Sequence, residues 1–226
     1  MAEITRGNCY RTVALLSTRT EKGVDVATGV FLLGKDGTPY LFTAGHFGKH
    51  VNASTLVELP NGPGMKPSVF SLLALTQGNR KDSPLADLSA FPLTGIKPQE
   101  KKMFTSRFIT YAALLGDGAH PLNRETELTT MGFPEGLGHD VKGCLVPLSF
   151  RTYASSDCFY LRDEAYKEPL QVFALENASL GGYSGAPVFD LGSKNNGLVG
   201  FIKGNLDAKG GSIAIVTPAI YAKYLM

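Results

Sequence analysis

No apolar run of about eighteen residues occurs anywhere in this 226-residue chain, so no membrane-spanning helix is expected. A dominant charge is missing too. The formal net charge is +2, and the mildly basic stretch from Lys97 to Arg107 reads as a solvated linker. Neither nucleic acid nor a membrane is therefore an expected partner. Cysteine is scarce: Cys9, Cys144 and Cys158 are odd in number and lack metal-ligand spacing. None lies in a glycine-flanked turn, which argues against a cysteine nucleophile. The opening residues Met1 to Asn8 lack the basic and apolar regions of a signal peptide. With the cysteine usage, this makes a reducing, cytoplasmic setting the expectation. No metal or cofactor is expected, and no internal repeat indicates a solenoid.

What is present suffices for a large core, since 43% of the residues are hydrophobic. The apolar segments are short and punctuated by turns. Arg11–Ser17, Gly29–Leu33, Pro39–Thr43, Ser68–Thr76 and Leu85–Leu93 read as strands. So do Glu127–Phe133, Cys144–Tyr153, Leu170–Leu175, Ala186–Leu191, Leu198–Lys203 and Ser212–Val216. Asp36-Gly37 marks a hairpin, and turns are expected at Pro134-Glu135-Gly136 and from Ser193 to Gly197. Such spacing indicates an all-β sandwich or barrel. Pro218–Leu225 reads as a closing helix with Pro218 in its first turn, and Tyr111–Leu115 is ambiguous.

Three stretches carry chemistry. In Gly182-Tyr183-Ser184-Gly185-Ala186-Pro187 a serine sits on a glycine-flanked turn. Such a turn exposes the hydroxyl and aims backbone N–H groups at one point. A serine nucleophile needs a base, and the base needs an orienting acid. The apolar run Tyr40–Thr43 leads into Ala44-Gly45-His46, and Ala86-Asp87-Leu88-Ser89-Ala90-Phe91 supplies a carboxylate. His50, His120 and His139 are rival histidines in polar or glycine-rich loops. Asp82, in the turn-like cluster Asn79–Pro84, is the rival acid.

The order His46, Asp87, Ser184, with Thr-Ala-x-His, Asp-Leu-x-x-Phe and Gly-x-Ser-Gly-x-Pro, resembles the chymotrypsin-like (trypsin-fold) serine proteases over most of the chain. The resemblance implies two antiparallel six-stranded β-barrels with a short C-terminal helix. The first barrel, residues 1–97, would carry His46 and Asp87. Residues 98–126 would be the linker. The second barrel, 127–226, would carry Ser184, with Met131–Pro134 early in it and Ser212–Tyr224 as its last strand and helix. The resemblance implies a serine endopeptidase working through an acyl-enzyme, with Ser184 as nucleophile, His46 as base and Asp87 as its orienting acid. Backbone N–H groups of Gly182 and Ser184 would form the oxyanion hole.

The same positional carry-over puts a specificity pocket between Ala178–Gly182 and Gly200–Gly204, with Gly210–Ser212 closing a third side. Ala178 would be its floor, Ser179 part of its first wall and Phe201 an apolar face. A peptide substrate would pair with an exposed edge near Gly200, Phe201 and Ile202. The first wall has no carboxylate, so cleavage after an uncharged residue is expected. A Lys203 turned inward would instead favour an acidic one. Two departures from the family stand out. Tyr183 occupies the place of an aspartate that binds a new N-terminus in digestive members, so activation by N-terminal cleavage is not expected. Gly45 replaces the usual alanine, a change expected to be harmless. A catalytically silent peptide-binding relative and a viral polyprotein-processing protease are the alternatives.

Overall fold

The computed structural model describes residues 4–5, 7–62, 64–115, 123–134, 143–192, 196–209 and 211–226. Most of the expected turns at 134–136 and 193–197, and His120, His139 and Gly210, fall outside them. The Asp36-Gly37 hairpin forms as expected: Gly34 N–H donates to Thr38 O at 2.8 Å, and Gly37 takes a φ of 84°. It joins two of the strands in the first of two sheets.

That sheet contains β1 (Val13–Thr20), β2 (Gly23–Leu33), β3 (Pro39–Thr43), β4 (Leu56–Leu59), β5 (Ser68–Ser71), β6 (Lys81–Asp82), β7 (Ser89–Pro92) and β8 (Ile109–Thr110). The strand order is β5-β4-β1-β2-β3-β7-β6, antiparallel throughout, with β8 added parallel to β2. The second sheet contains β9 (Glu127–Gly132), β10 (Leu148–Tyr153), β11 (Phe159–Leu161), β12 (Leu170–Ala174), β13 (Pro187–Asp190), β14 (Gly197–Ala208) and β15 (Gly211–Pro218). Its order is β10-β9-β13-β14-β15-β12-β11.

The all-β class and the two antiparallel units match expectation, but the count and closure differ. There are eight and seven strands instead of six and six, and among the described residues no strand ladder closes either path; in the second, a single antiparallel bridge between Ala154 and Leu175 ties the end of β10 to the end of β12. The short pieces β6, β8 and β11 carry too little apolar pattern to stand out in sequence. The run Ser68–Thr76 is not one strand. It breaks at Leu72 into α2 (Leu72–Thr76), preceded by α1 (Gly45–Gly48), because the Ser71 hydroxyl accepts the Ala74 N–H and caps the turn. The closing helix shrinks to α4 (Ile220–Lys223), while Pro218 ends β15 opposite Gly200. The segment 98–126 is also more than a linker. It contributes α3 (Lys101–Phe104) and β8, and buried Arg107 donates to the carbonyls of Met103, Arg11 and Pro60.

Strand β2 shows why its second half, Gly29–Leu33, is continuously apolar. Ala27 and Phe31 face a core internal to the first sheet, with Leu16, Leu41 and Phe104. Val30 and Leu32 face the opposite way, into a core shared with Phe133, Phe189, Leu198 and Phe201 of the second half. Phe42 stacks on Phe201 across this junction, ring centres 5.9 Å apart. A further core, including Leu128, Phe173, Val188 and Ile202, belongs to the second sheet. The cleft described next lies where the halves meet.

Candidate active site

His46 sits in the single turn α1, directly after β3 delivers the chain to the junction. Its backbone N–H donates to Asp87 Oδ1 at 2.7 Å, and its Nδ1 lies 2.7 Å from Asp87 Oδ2. A carboxylate only accepts, so Nδ1 carries the proton and Nε2 is left with a lone pair. That lone pair faces the hydroxyl of Ser184, 3.1 Å away. Asp87 is 2% exposed, in the loop just before β7. Burial pushes its carboxyl up. Hydrogen bonding and charge from His46, then Tyr166 and Lys203, more than offset this and hold it below the ordinary aspartate value. The three residues named from the sequence are thus brought into one chain of hydrogen bonds. The rivals are engaged elsewhere: Asp82 accepts from Ser89 and pairs with Arg80, and exposed His50 pairs with Asp25.

The serine turn is held from the other half of the molecule. Thr28, buried on β2, donates its backbone N–H to Ser184 O at 2.9 Å. Its hydroxyl donates to Gly182 O at 2.9 Å and accepts from Phe133 N–H at 3.1 Å. Its carbonyl accepts from the Thr43 hydroxyl. Gly182 and Gly185 both adopt φ of 84°. A Cβ on Gly185 would lie 2.4 Å from Thr28 O and 2.5 Å from Thr43 Oγ1, so glycine is required there for space as well as conformation. Tyr183 turns inward, 2% exposed, and donates its hydroxyl to Leu148 O. The turn is therefore anchored by a buried aromatic at the position where the sequence resemblance drew attention to a missing aspartate. Among the described residues, no protein acceptor takes the N–H of Gly182 or of Ser184.

Beside Tyr183 opens a cavity of about 270 Å³, lined by Ala178, Ser179, Leu175, Ile202, Ala214 and Thr130 among others. No lining side chain among the described residues is ionised. Ser179 is clasped to Asn205: its N–H and hydroxyl donate to Asn205 Oδ1, and Asn205 Nδ2 donates back to Ser179 O. This links the two cavity walls.

Three sequence-based placements need correction. Phe201 does not face the cavity; it is 1% exposed and stacked on Phe42, because it points to the opposite side of β14 from Ile202. Gly200, Phe201 and Ile202 do not form a free edge. Gly200 and Phe201 pair with β13 on one side and β15 on the other, and Ile202 exchanges hydrogen bonds with Gly185 and Ala186. The β13 ladder stops at Pro187, opposite Phe201, so unpaired edge begins at Lys203. Lys203 itself sits at a bulge between Ile202 and Gly204, which re-aims its side chain. Its ammonium meets Asp163 at 2.8 Å and does not enter the cavity.

Sequence reasoning missed Thr28, Tyr166 and Asn205. Tyr166, in the loop joining β11 to β12, donates its hydroxyl to Asp87 Oδ1 at 2.8 Å. Each reaches its partner across 26 to 154 residues, and no local motif announces such a contact.

No family model and no curated relative matches the chain. Solved structures do. The active form of the Rv3671c protease from M. tuberculosis has a TM-score of 0.65 at 17% identity, covering 96% of this chain and 79% of that one. The MamO protease domain from Magnetospirillum magneticum has 0.64 at 15%, covering 97% of both chains. A scabies mite inactivated protease paralogue has 0.62 at 14%, covering 99% of this chain and 96% of that one. The HtrA-type protease AlgW, solved with a tripeptide, has 0.61 at 17%; this chain covers 60% of its length. Among the described residues, no helix is long and apolar enough to cross a membrane. With both sheets, the cleft between them and these likenesses in view, the chain has the chymotrypsin-like serine-protease fold.

Proposed function

We propose that this protein is a serine endopeptidase that cleaves peptide bonds after an uncharged residue. One observation carries the reading: the unbroken relay from Asp87 through His46 to Ser184, at 2.7 and 3.1 Å. Ser184 Oγ attacks the peptide carbonyl while His46 Nε2 takes its proton. The imidazolium so formed faces the Asp87 carboxylate, which stays ionised. The tetrahedral oxyanion is received by the N–H groups of Gly182 and Ser184, which have no competing protein acceptor among the described residues. His46 then protonates the leaving amine, and water repeats the sequence on the acyl-enzyme.

The uncharged cavity beside Tyr183 supports the specificity. A lysine or arginine side chain there would be desolvated without a carboxylate, which costs several kcal/mol. The free edge from Lys203 onward supports pairing of an extended peptide with β14. A silent peptide-binding module is the competing reading, and one of the structural likenesses is an inactivated paralogue. The two part on a fluorophosphonate probe. The wild type is expected to be labelled and to hydrolyse peptides, and Ser184→Ala to lose both while keeping its melting temperature. An unlabelled, inactive wild type that still binds peptide would establish the silent reading instead.

A further inference from the structure

We propose that Tyr166 is a positioning residue of the catalytic relay, acting as a fourth member that fixes the Asp87 carboxylate and tempers its charge. This rests on the protease reading above, and four observations on the page support it. The Tyr166 hydroxyl donates to Asp87 Oδ1, the oxygen that also receives the His46 backbone N–H, while Oδ2 receives the imidazole. Both carboxylate oxygens are thereby committed, and rotation about the Asp87 side chain would break at least one of three bonds.

The second observation concerns Gly45. A Cβ at this position would lie 2.8 Å from Asp87 Oδ1 and 3.0 Å from the Tyr166 hydroxyl oxygen. Gly45 has no left-handed φ, so its lack of a side chain serves space and not backbone conformation. The same Cβ would lie 2.9 Å from Leu88 N, so the replacement of alanine expected to be harmless leaves the space in which the Asp87 carboxylate, the Leu88 backbone and the Tyr166 hydroxyl come together.

Third, Tyr166 is held from both halves. Lys49, next to α1, places its ammonium 5.0 Å from the ring centre. Asp163 accepts the Tyr166 N–H through its carbonyl and the Ala165 N–H through its side chain, and is itself tied to Lys203. The bulge at Lys203 thus serves the brace. The charged and titratable groups around this hydroxyl are His46, Asp87, Lys49, Lys203, Asp163 and Asp82.

Fourth, the tyrosine stays a donor. Burial first, then the charge and hydrogen bond of Asp87, push its hydroxyl well above the ordinary tyrosine value. It therefore remains a hydrogen-bond donor to the Asp87 carboxylate, and draws off part of the negative charge that the imidazolium would otherwise feel.

Tyr166→Phe removes the hydroxyl and keeps the ring on Lys49. Two readouts separate positioning from packing. The low-field proton NMR signal of the His46 Nδ1–H should move further downfield, because Asp87 loses a competing donor; this requires no turnover. In kinetics, kcat should fall about tenfold, the scale of one hydrogen bond to a charged group, with KM nearly unchanged. The acid limb of kcat/KM should move to higher pH as the imidazolium is held more strongly. Tyr160→Phe, on an exposed ring of β11, is the control and should change nothing. A Tyr166→Phe protein with the wild-type NMR signal overturns the proposal, whether or not the wild type is a protease. An unchanged acid limb and kcat in an active enzyme overturn it as well. A wild type that fails to react with fluorophosphonate, while its NMR signal still shifts in Tyr166→Phe, rejects the protease reading and leaves the Tyr166–Asp87–His46 coupling standing.

Discussion

Thr28→Val is the substitution that most directly probes how the two halves cooperate. Valine has the shape of threonine, so packing in this fully buried position is nearly preserved. The hydroxyl, however, both donates to Gly182 O and accepts from Phe133 N–H. Its loss leaves a buried carbonyl and a buried N–H without partners. Each such group costs about 1–3 kcal/mol, so the variant should lose about 2–6 kcal/mol. For a chain of this size that corresponds to a fall in Tm of roughly 4–24 °C. The Gly182 carbonyl also fixes the backbone angles of the residue whose N–H is proposed to receive the oxyanion. Fluorophosphonate labelling of Ser184 should therefore slow by at least about tenfold at temperatures where the variant is folded. Thr28→Ser keeps both bonds and should restore labelling. Thermal melts by circular dichroism and second-order labelling rates supply the two numbers. A valine variant that melts with the wild type and reacts at the wild-type rate would show that the hydroxyl holds nothing.

Gly185→Ala and Gly37→Ala share a φ of 84° but should diverge. The first drives a Cβ into Thr28 and Thr43 and should cost more than about 3 kcal/mol in urea unfolding, while the second meets nothing within 4 Å and should cost about 1 kcal/mol. Ala178→Asp puts a carboxylate in the uncharged cavity, and a peptide library should then show new cleavage after arginine or lysine; a wild type that already prefers these residues would contradict the cavity's chemistry. Burial pushes the hydroxyls of Tyr166 and Tyr183 up, so the folded chain keeps protons that the unfolded chain sheds near pH 10. Unfolding free energy should hold steady to about pH 9 and decline above about pH 10, less so in Tyr183→Phe; denaturant titrations at pH 8 and pH 11 check this.

What could be read without the structure follows physical locality. The serine turn and the histidine after β3 announce themselves because glycines and an apolar run act over a few residues. Asp87 is legible only because the order of the three groups narrows the choice of carboxylate. Thr28 looks like any other polar residue in an apolar strand, and its role arises from strands that meet only in the fold. Lys203 defeats a register argument because a bulge inserts one residue and reverses which way the side chain faces. Phe201 fails for the same kind of reason, since alternation assigns it to the shared core while its neighbour Ile202 lines the cavity. Gly45 shows the opposite case: the departure was visible in the sequence, but its meaning needed the Asp87 carboxylate, the Leu88 backbone and the Tyr166 hydroxyl that crowd the space.

The shared core has a consequence for how this molecule comes apart. Val30, Phe42 and Ile109 of the first half bury their side chains in one cluster with Phe133, Phe189 and Phe201 of the second, and both Cys9 and Leu225 join it. Neither half can shed the other without exposing that cluster to water, so the halves should melt as one unit and not as successive domains. Ser184 and His46 stand on opposite sides of the same seam. The proposed hydrolytic competence and global order are then a single cooperative property, and a chain severed between the halves would have no partly working state on which to fall back.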